Sequence, residues 1–148
     1  MNEDHKALFQ FFNEVGIINQ LSSAIFQSRL PDGLHVSHFS VINHLVRRGD
    51  GKTPLALANA FQVPKTTMTH TLSVLEKRGL IRMDKHETDG RSKVVFITAE
   101  GREAQEIAIS AMAEPLARIS ADLGPDAIFD LLPGLEKIRK YLDDNRGI

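Results

Sequence analysis

One stretch, Thr53 to Gly101, constrains the fold more than any other: TPLALANAFQVPKTTMTHTLSVLEKRGLIRMDKHETDGRSKVVFITAEG. Thr53 supplies a hydroxyl N-cap, and Pro54 stands at the first helical position, where its missing N–H costs nothing. A short helix is predicted from about Pro54 to Phe61, with Gln62 and Val63 as a turn. Pro64 then opens a second helix that runs to Arg78 and stops at Gly79, while Lys77 and Arg78 place positive charge at its negative end. Met68, Leu72 and Leu75 recur at helical spacing and mark its buried face. Leu80, Ile81 and Arg82 begin a strand, and Val94 to Ile97 form another. Between them lies MDKHETDGRSK, with Asp89-Gly90 as the turn signal and Arg91 and Lys93 projecting from a basic tip. Helix, tight turn, helix and hairpin make a winged helix-turn-helix, so the fold class is mainly α with a small β-hairpin wing.

The outward face of the second helix carries the functional signal. Thr66, Thr69, His70 and Ser73 fall at i, i+3, i+4 and i+7, which puts them on one side. That side is small, polar and uncharged at neutral pH. A helix face that is merely solvated more often carries Glu and Lys, although a Thr-rich surface helix of poor propensity is the bland alternative. Short hydroxyls and an imidazole suit base edges and phosphates in a major groove. Lys65, near the helix start, is placed for a phosphate, and Thr67 for a base edge or a nearby phosphate. A basic hairpin tip suits the adjacent backbone and minor groove.

The run LALANAFQVPKTTMTHTLSVLEKRGLIRM, followed by DGRSK and then FITAEGRE, resembles the multiple-antibiotic-resistance regulator (MarR) family of bacterial transcription factors. By helix layout the resemblance covers nearly the whole chain. Its most specific part is the wing, where Asp89 and Arg91 match the family's acidic–x–Arg pattern. The resemblance implies that Arg91 enters the minor groove, that Asp89 helps hold it, and that Lys93 assists at the backbone. It further implies a homodimeric repressor on a pseudo-palindromic double-stranded operator, relieved by a small-molecule effector that in relatives is often an aromatic anion. Phe12, His35, His38 and Phe39 are candidates to line such an effector cleft, though core packing accounts for the phenylalanines equally well. Pro64 departs from the pattern, because many members carry a Ser or Asp cap there.

The charge distribution agrees with a nucleic-acid partner. The net charge is −1, yet residues 44–102 hold 11 Lys or Arg against 6 Asp or Glu. A local basic patch steers and binds phosphate, and the total hides it.

Flanking segments point to assembly. From about His5 to Arg29, Leu8, Phe11, Phe12, Val15, Ile18 and Leu21 recur at three and four, and Phe9, Ile17 and Ile25 widen the stripe beyond what one core contact needs. Such a helix is either central to a monomer or shared with a partner subunit, and the family resemblance favours the second. Leu30-Pro31-Asp32-Gly33 is a turn. Ser37 is the expected cap of a helix to about Arg48, and Gly49-Asp50-Gly51 a turn. Thr98 caps a long helix that Pro115 should kink or divide. Leu123-Gly124-Pro125 stops it, and a last helix from about Asp126 to Leu142 is interrupted at Pro133-Gly134. The expected organisation is one compact chain, with an N-terminal dimerisation helix over residues 1–33, the winged helix-turn-helix over 34–100 and C-terminal dimerisation helices over 101–148, together a helical dimerisation module beside the DNA-binding unit.

Other functions find less support. With no cysteine in 148 residues there is no disulfide framework or thiolate metal site. His35, His38 and His44 do not share one tight face and have no acidic residue among them, so no metal and no cofactor are expected. There is no Gly-rich phosphate loop, G-x-S-x-G elbow or H-E-x-x-H, so no catalytic residue and no enzyme activity are expected. No apolar run is long enough for a bilayer and the first residues lack a secretory pattern, so no membrane partner and a cytoplasmic location are expected. The competing function class is a ligand-sensing or protein-interaction module whose winged unit does not read DNA. A steep salt dependence of binding separates the two.

Overall fold

The computed structural model describes residues 2–31 and 33–147. It divides into two compact units, one reaching to Ala111 and one beginning at Met112. The first holds α1 (Glu3–Gln27), α2 (Val36–Arg48), α3 (Pro54–Phe61), α4 (Lys65–Lys77), β1 (Ile81–Lys85), β2 (Lys93–Ile97) and α5 (Ala99–Ser110). The second holds α6 (Ala113–Leu123), α7 (Asp126–Phe129) and α8 (Leu132–Asp144).

The core of the first unit lies between the helix-turn-helix and the hairpin. Val41, Ile42 and Leu45 of α2, Leu57 of α3, Leu72 and Leu75 of α4, Ile81 of β1 and Val95 of β2 are almost wholly excluded from solvent. Each such side chain contributes roughly 1.5–3 kcal/mol of transfer free energy. Met68, Leu72 and Leu75 form the inner face of α4 as their spacing predicts. Thr71 joins them, its hydroxyl donating to Thr67 O at 3.1 Å. In contrast, α1 buries no residue.

Local chemistry sets the element ends. Thr53 caps α3, accepting from the Ala56 N–H at 3.1 Å, and Gln62 closes that helix in the left-handed region at φ 53°. Pro64 has an extended ψ of 146°, so α4 starts at Lys65 rather than at the proline. Asn2 Oδ1 accepts the His5 N–H at 2.9 Å and starts α1 at Glu3, ahead of the predicted His5. Ser37 is not the cap of α2, which begins at Val36. There His38 Nδ1 accepts the His35 N–H at 3.0 Å and Gln27 Oε1 accepts the Val36 N–H at 3.0 Å. With those donors satisfied, no hydroxyl cap is needed. Of the predicted turn before α2, Asp32 lies outside the described residues, while Gly33 turns at φ +78°.

The hairpin pairs antiparallel from Ile81 opposite Ile97 to Lys85 opposite Lys93. Met83, Asp84 and Lys85 therefore belong to β1, and Lys93 is a strand residue rather than part of the tip. A third strip, unforeseen in the sequence, joins the sheet at Lys52, whose carbonyl accepts from Val95 N at 2.8 Å. α5 seats closely on the hairpin root: a Cβ on Gly101 would lie 2.1 Å from Leu80 O. Thr98 completes that junction, donating to Gly79 O at 2.6 Å and accepting from the Gly101 N–H at 3.0 Å.

In the second unit, Pro115 falls in the first turn of α6 and begins a new segment rather than kinking one. Gly124, at φ +79°, ends it. Pro133 likewise falls in the first turn of α8, so the predicted last helix is divided into α7 and α8.

Candidate nucleic-acid interface

The α4 surface matches its sequence reading in placement. Lys65, Thr66, Thr67, Thr69 and His70 are exposed, and Ser73 is half-buried. The Thr69 hydroxyl donates to Lys65 O at 2.9 Å. Its hydrogen is committed to the helix, so Thr69 presents lone pairs and a methyl group outward.

The wing tip is built around Asp89. One carboxylate oxygen accepts the backbone N–H of Arg91 at 3.0 Å, and the other accepts the Ser92 hydroxyl at 3.0 Å. Ser92 N also donates to Asp89 O at 3.0 Å. These bonds, led by the Arg91 N–H, hold the Asp89 carboxyl below its ordinary range. Gly90 is not among the glycines of positive φ, so Asp89-Gly90 does not form the primed two-residue turn that such a pair often signals. Asp89 holds Arg91 by its backbone. Among the described residues it makes no ion pair with the guanidinium, and both of its oxygens bond within the turn.

Two supporting groups lie behind the tip. Arg82 pairs with Asp84 at 3.1 Å and lies 4.7 Å from the centre of the Phe96 ring. Asp50, read in the sequence only as part of a turn, accepts the Ile97 N–H at 2.8 Å. Its one sequence signal was a carboxylate set between two glycines.

Of the four effector-cleft candidates, His35 and His38 lie side by side. Phe12 is 46% exposed and meets Phe11 edge-on at 5.3 Å. Phe39 packs edge-on against Phe26 at 4.5 Å. His38 is buried, and burial first, then the nearby His35, Arg78 and His70, lowers its pKa. His35 lies beside it, ring centres 5.4 Å apart. A groove of about 280 Å³ does open on α2 and α3, lined by Phe39, Ser40, Asn43, His44, Arg47 and Phe61 among others, and it takes in Phe39 alone of the four.

Comparison with known proteins gives these features a context. A model of the MarR family matches residues 32–92. The chain is 31% identical over 115 residues to the transcriptional regulator HosA of Escherichia coli, spanning 75% of this chain and 84% of that protein. Among solved structures, the transcriptional regulator BldR from Sulfolobus solfataricus aligns with a TM-score of 0.78 at 26% identity, over 95% of this chain and 99% of that one. A mutant MarR from E. coli complexed with operator DNA aligns with a TM-score of 0.73 at 19% identity, over 93% and 99% of the two chains. At that identity the likeness is one of fold.

Proposed function

The chain belongs to the MarR family of transcriptional regulators, and from that premise we propose that it binds a pseudo-palindromic double-stranded operator as a homodimeric repressor. The observation that carries the reading is the surface of α4. Its residues Thr66, Thr67, Thr69 and His70 are exposed while Met68, Leu72 and Leu75 are buried, so the core fixes which side is offered to a partner. In the proposal these residues and Ser73 reach base edges or phosphates, Lys65 takes a phosphate, and Arg91 enters the minor groove with Lys93 at the backbone. Asp89 serves by shaping the turn that carries Arg91.

A homodimer is supported by apolar surface that a lone chain leaves wet. Leu8, Phe9, Ile18 and Leu21 of α1 are 57–69% exposed, and Leu123, Phe129 and Leu131 of the second unit are 61–65% exposed. Surfaces of this kind mark interfaces. The segments 1–33 and 101–148 would supply the dimerisation module. Sedimentation showing a stable folded monomer at micromolar concentration would contradict it.

Repression and its relief by a small effector rest on the family resemblance. The test is a gel shift on the gene's own upstream region at two salt concentrations, repeated with aromatic acids that raise the melting temperature. Specific binding with a steep salt slope supports the reading, since phosphate neutralisation releases counterions. Absence of specific binding overturns it.

A further inference from the structure

The wing tip contains a histidine that the proposed reading leaves unused. His86 follows the last residue of β1 and is half-buried. Its Nδ1 accepts the backbone N–H of Thr88 at 3.2 Å and that of Asp89 at 3.3 Å, and lies 3.1 Å from Thr88 Oγ1. The His86 N–H donates to Ser92 O at 2.9 Å, so the residue closes the loop from both sides. Backbone N–H groups only donate. Nδ1 is therefore the bare nitrogen, and the ring proton sits on Nε2.

A chain of contacts runs from this nitrogen to the wing arginine. His86 holds the backbone of Asp89, and the Asp89 carboxylate holds the backbone of Arg91 at 3.0 Å. We infer that His86 is a positioning residue of the wing, whose neutral imidazole fixes the turn from which Arg91 is presented to DNA and whose protonation releases it. This rests on the reading of Arg91 as a DNA contact.

The chemistry gives the switch a sign. A protonated imidazole has no acceptor nitrogen, so an N–H at Nδ1 would confront two backbone donors and the ring must turn away. The charged residues nearest in the hairpin sequence are Lys85 at the end of β1, Lys93 at the start of β2, and Glu87, Asp89 and Arg91 in the connecting loop. Of these, Asp89 is the carboxylate that interacts electrostatically with the ring. An imidazolium draws that carboxylate toward itself and away from the Arg91 N–H and the Ser92 hydroxyl. A positive charge that merely sat near phosphate would strengthen binding as pH falls, whereas a released turn weakens it.

The experiment uses the full-length protein in two readouts. Without DNA, the amide resonances of Thr88, Asp89 and Arg91 are followed as the pH is lowered from about 8 to about 5. They are expected to move with one shared midpoint in the wild type. They should not do so in His86→Asn, whose carbonyl can accept in place of Nδ1 without titrating. With an A·T-flanked operator, His86→Ala should bind at least roughly threefold more weakly at about pH 7.5 with an unchanged melting temperature, and His86→Asn should restore the loss. Over the same descent in pH, wild-type affinity should fall relative to that of His86→Asn. Static amide resonances, or wild-type affinity in His86→Ala, overturn the inference. Wild-type affinity in Arg91→Ala instead overturns the DNA reading on which it rests, whatever the amides do.

Discussion

The carboxylate of Asp50 accepts the backbone N–H of Ile97 at 2.8 Å, across 47 residues of sequence. Its other oxygen lies 3.6 Å from Arg102 of α5. Gly49 and Gly51, at φ +93° and +75°, let the chain aim this side chain at the hairpin root. Asp50→Ala should leave the Ile97 N–H without its acceptor and cost about 1–3 kcal/mol, read as a lower melting temperature. Asp50→Asn keeps an acceptor and gives up only a pairing to the half-exposed Arg102, so it should cost much less. Equal melting temperatures for the two variants would contradict the assigned bond.

The corner between α3 and α4 holds a strained residue. Gln62 sits at φ 53° and ψ 42°, a left-handed conformation that costs an L-residue roughly 1–2 kcal/mol. Val63 N still returns to Ala58 O at 3.0 Å, so the helix end is properly closed. Glycine reaches this conformation freely. Gln62→Gly should stabilise the fold by about 0.5–1 kcal/mol after the larger chain entropy of the unfolded glycine is counted, read as a higher urea midpoint. The amide it loses donates to Asn59 O from an exposed position, a weak bond to give up. A lower midpoint would show that this bond outweighs the strain.

These two sites show where sequence reading succeeds and where it stops. The helix-turn-helix and its wing were legible because local signals and tertiary demands coincide there. Thr53 and Thr98 do cap α3 and α5, and Gly79 does turn left-handed at the end of α4. Misreadings arose where a partner lies far along the chain. Ser37 has the chemistry of a cap, but Gln27, nine residues before Val36, fills that role instead. Lys52 joins the sheet through a single bridge, too short to leave an alternating pattern. The spacing of Asp89 and Arg91 put them in reach of each other, but spacing does not say whether a carboxylate will take the guanidinium or the backbone N–H. For the effector-cleft candidates, periodicity assigns a helical face without stating what that face meets: His35 and His38 lie side by side, while Phe39 packs on Phe26.

Base reading and phosphate binding should separate by mutation. Thr69 offers lone pairs and a methyl group, its hydrogen being held by Lys65 O at 2.9 Å. Thr69→Ala or His70→Ala should weaken operator binding by about 1–3 kcal/mol and change preference at particular base pairs. Lys65→Ala should weaken all sequences alike and flatten the salt slope by about one unit. Titration of each variant against an operator and a scrambled duplex decides this. Uniform losses from Thr69→Ala would remove that residue from base reading.

Acid should destabilise the fold through His38. The residue is 5% exposed, and burial is the first cause lowering its pKa from 6.5. The native state thus stays neutral where the unfolded chain takes up a proton. The unfolded state binds more protons just below about pH 6.5, so stability falls as pH drops through that range and levels off only below the native value. His44 is lowered in the same direction and adds to the slope. His38→Asn should reduce the pH dependence of the melting temperature without abolishing it. An unchanged slope would place the titration elsewhere.

The wing offers the sharpest separation of stability from binding. Arg91 is exposed, and among the described residues its guanidinium makes no ion pair. Arg91→Ala should therefore leave the melting temperature nearly unchanged. A narrow A·T-rich minor groove concentrates negative potential and attracts a guanidinium, so the same variant should lose much operator affinity, most of it on sites with A·T-rich flanks. Asp89→Ala should lose less, because the arginine remains on a looser turn. Asp89→Asn then distinguishes how Asp89 acts. An amide carbonyl can still accept the Arg91 N–H that the carboxylate accepts at 3.0 Å, so backbone positioning requires near-wild-type binding. If Asp89 instead worked by pairing charge with the guanidinium, the Asn and Ala variants would bind equally weakly. Operator affinity for Arg91→Ala within about twofold of wild type, under roughly half a kcal/mol, would take the wing out of the interface altogether.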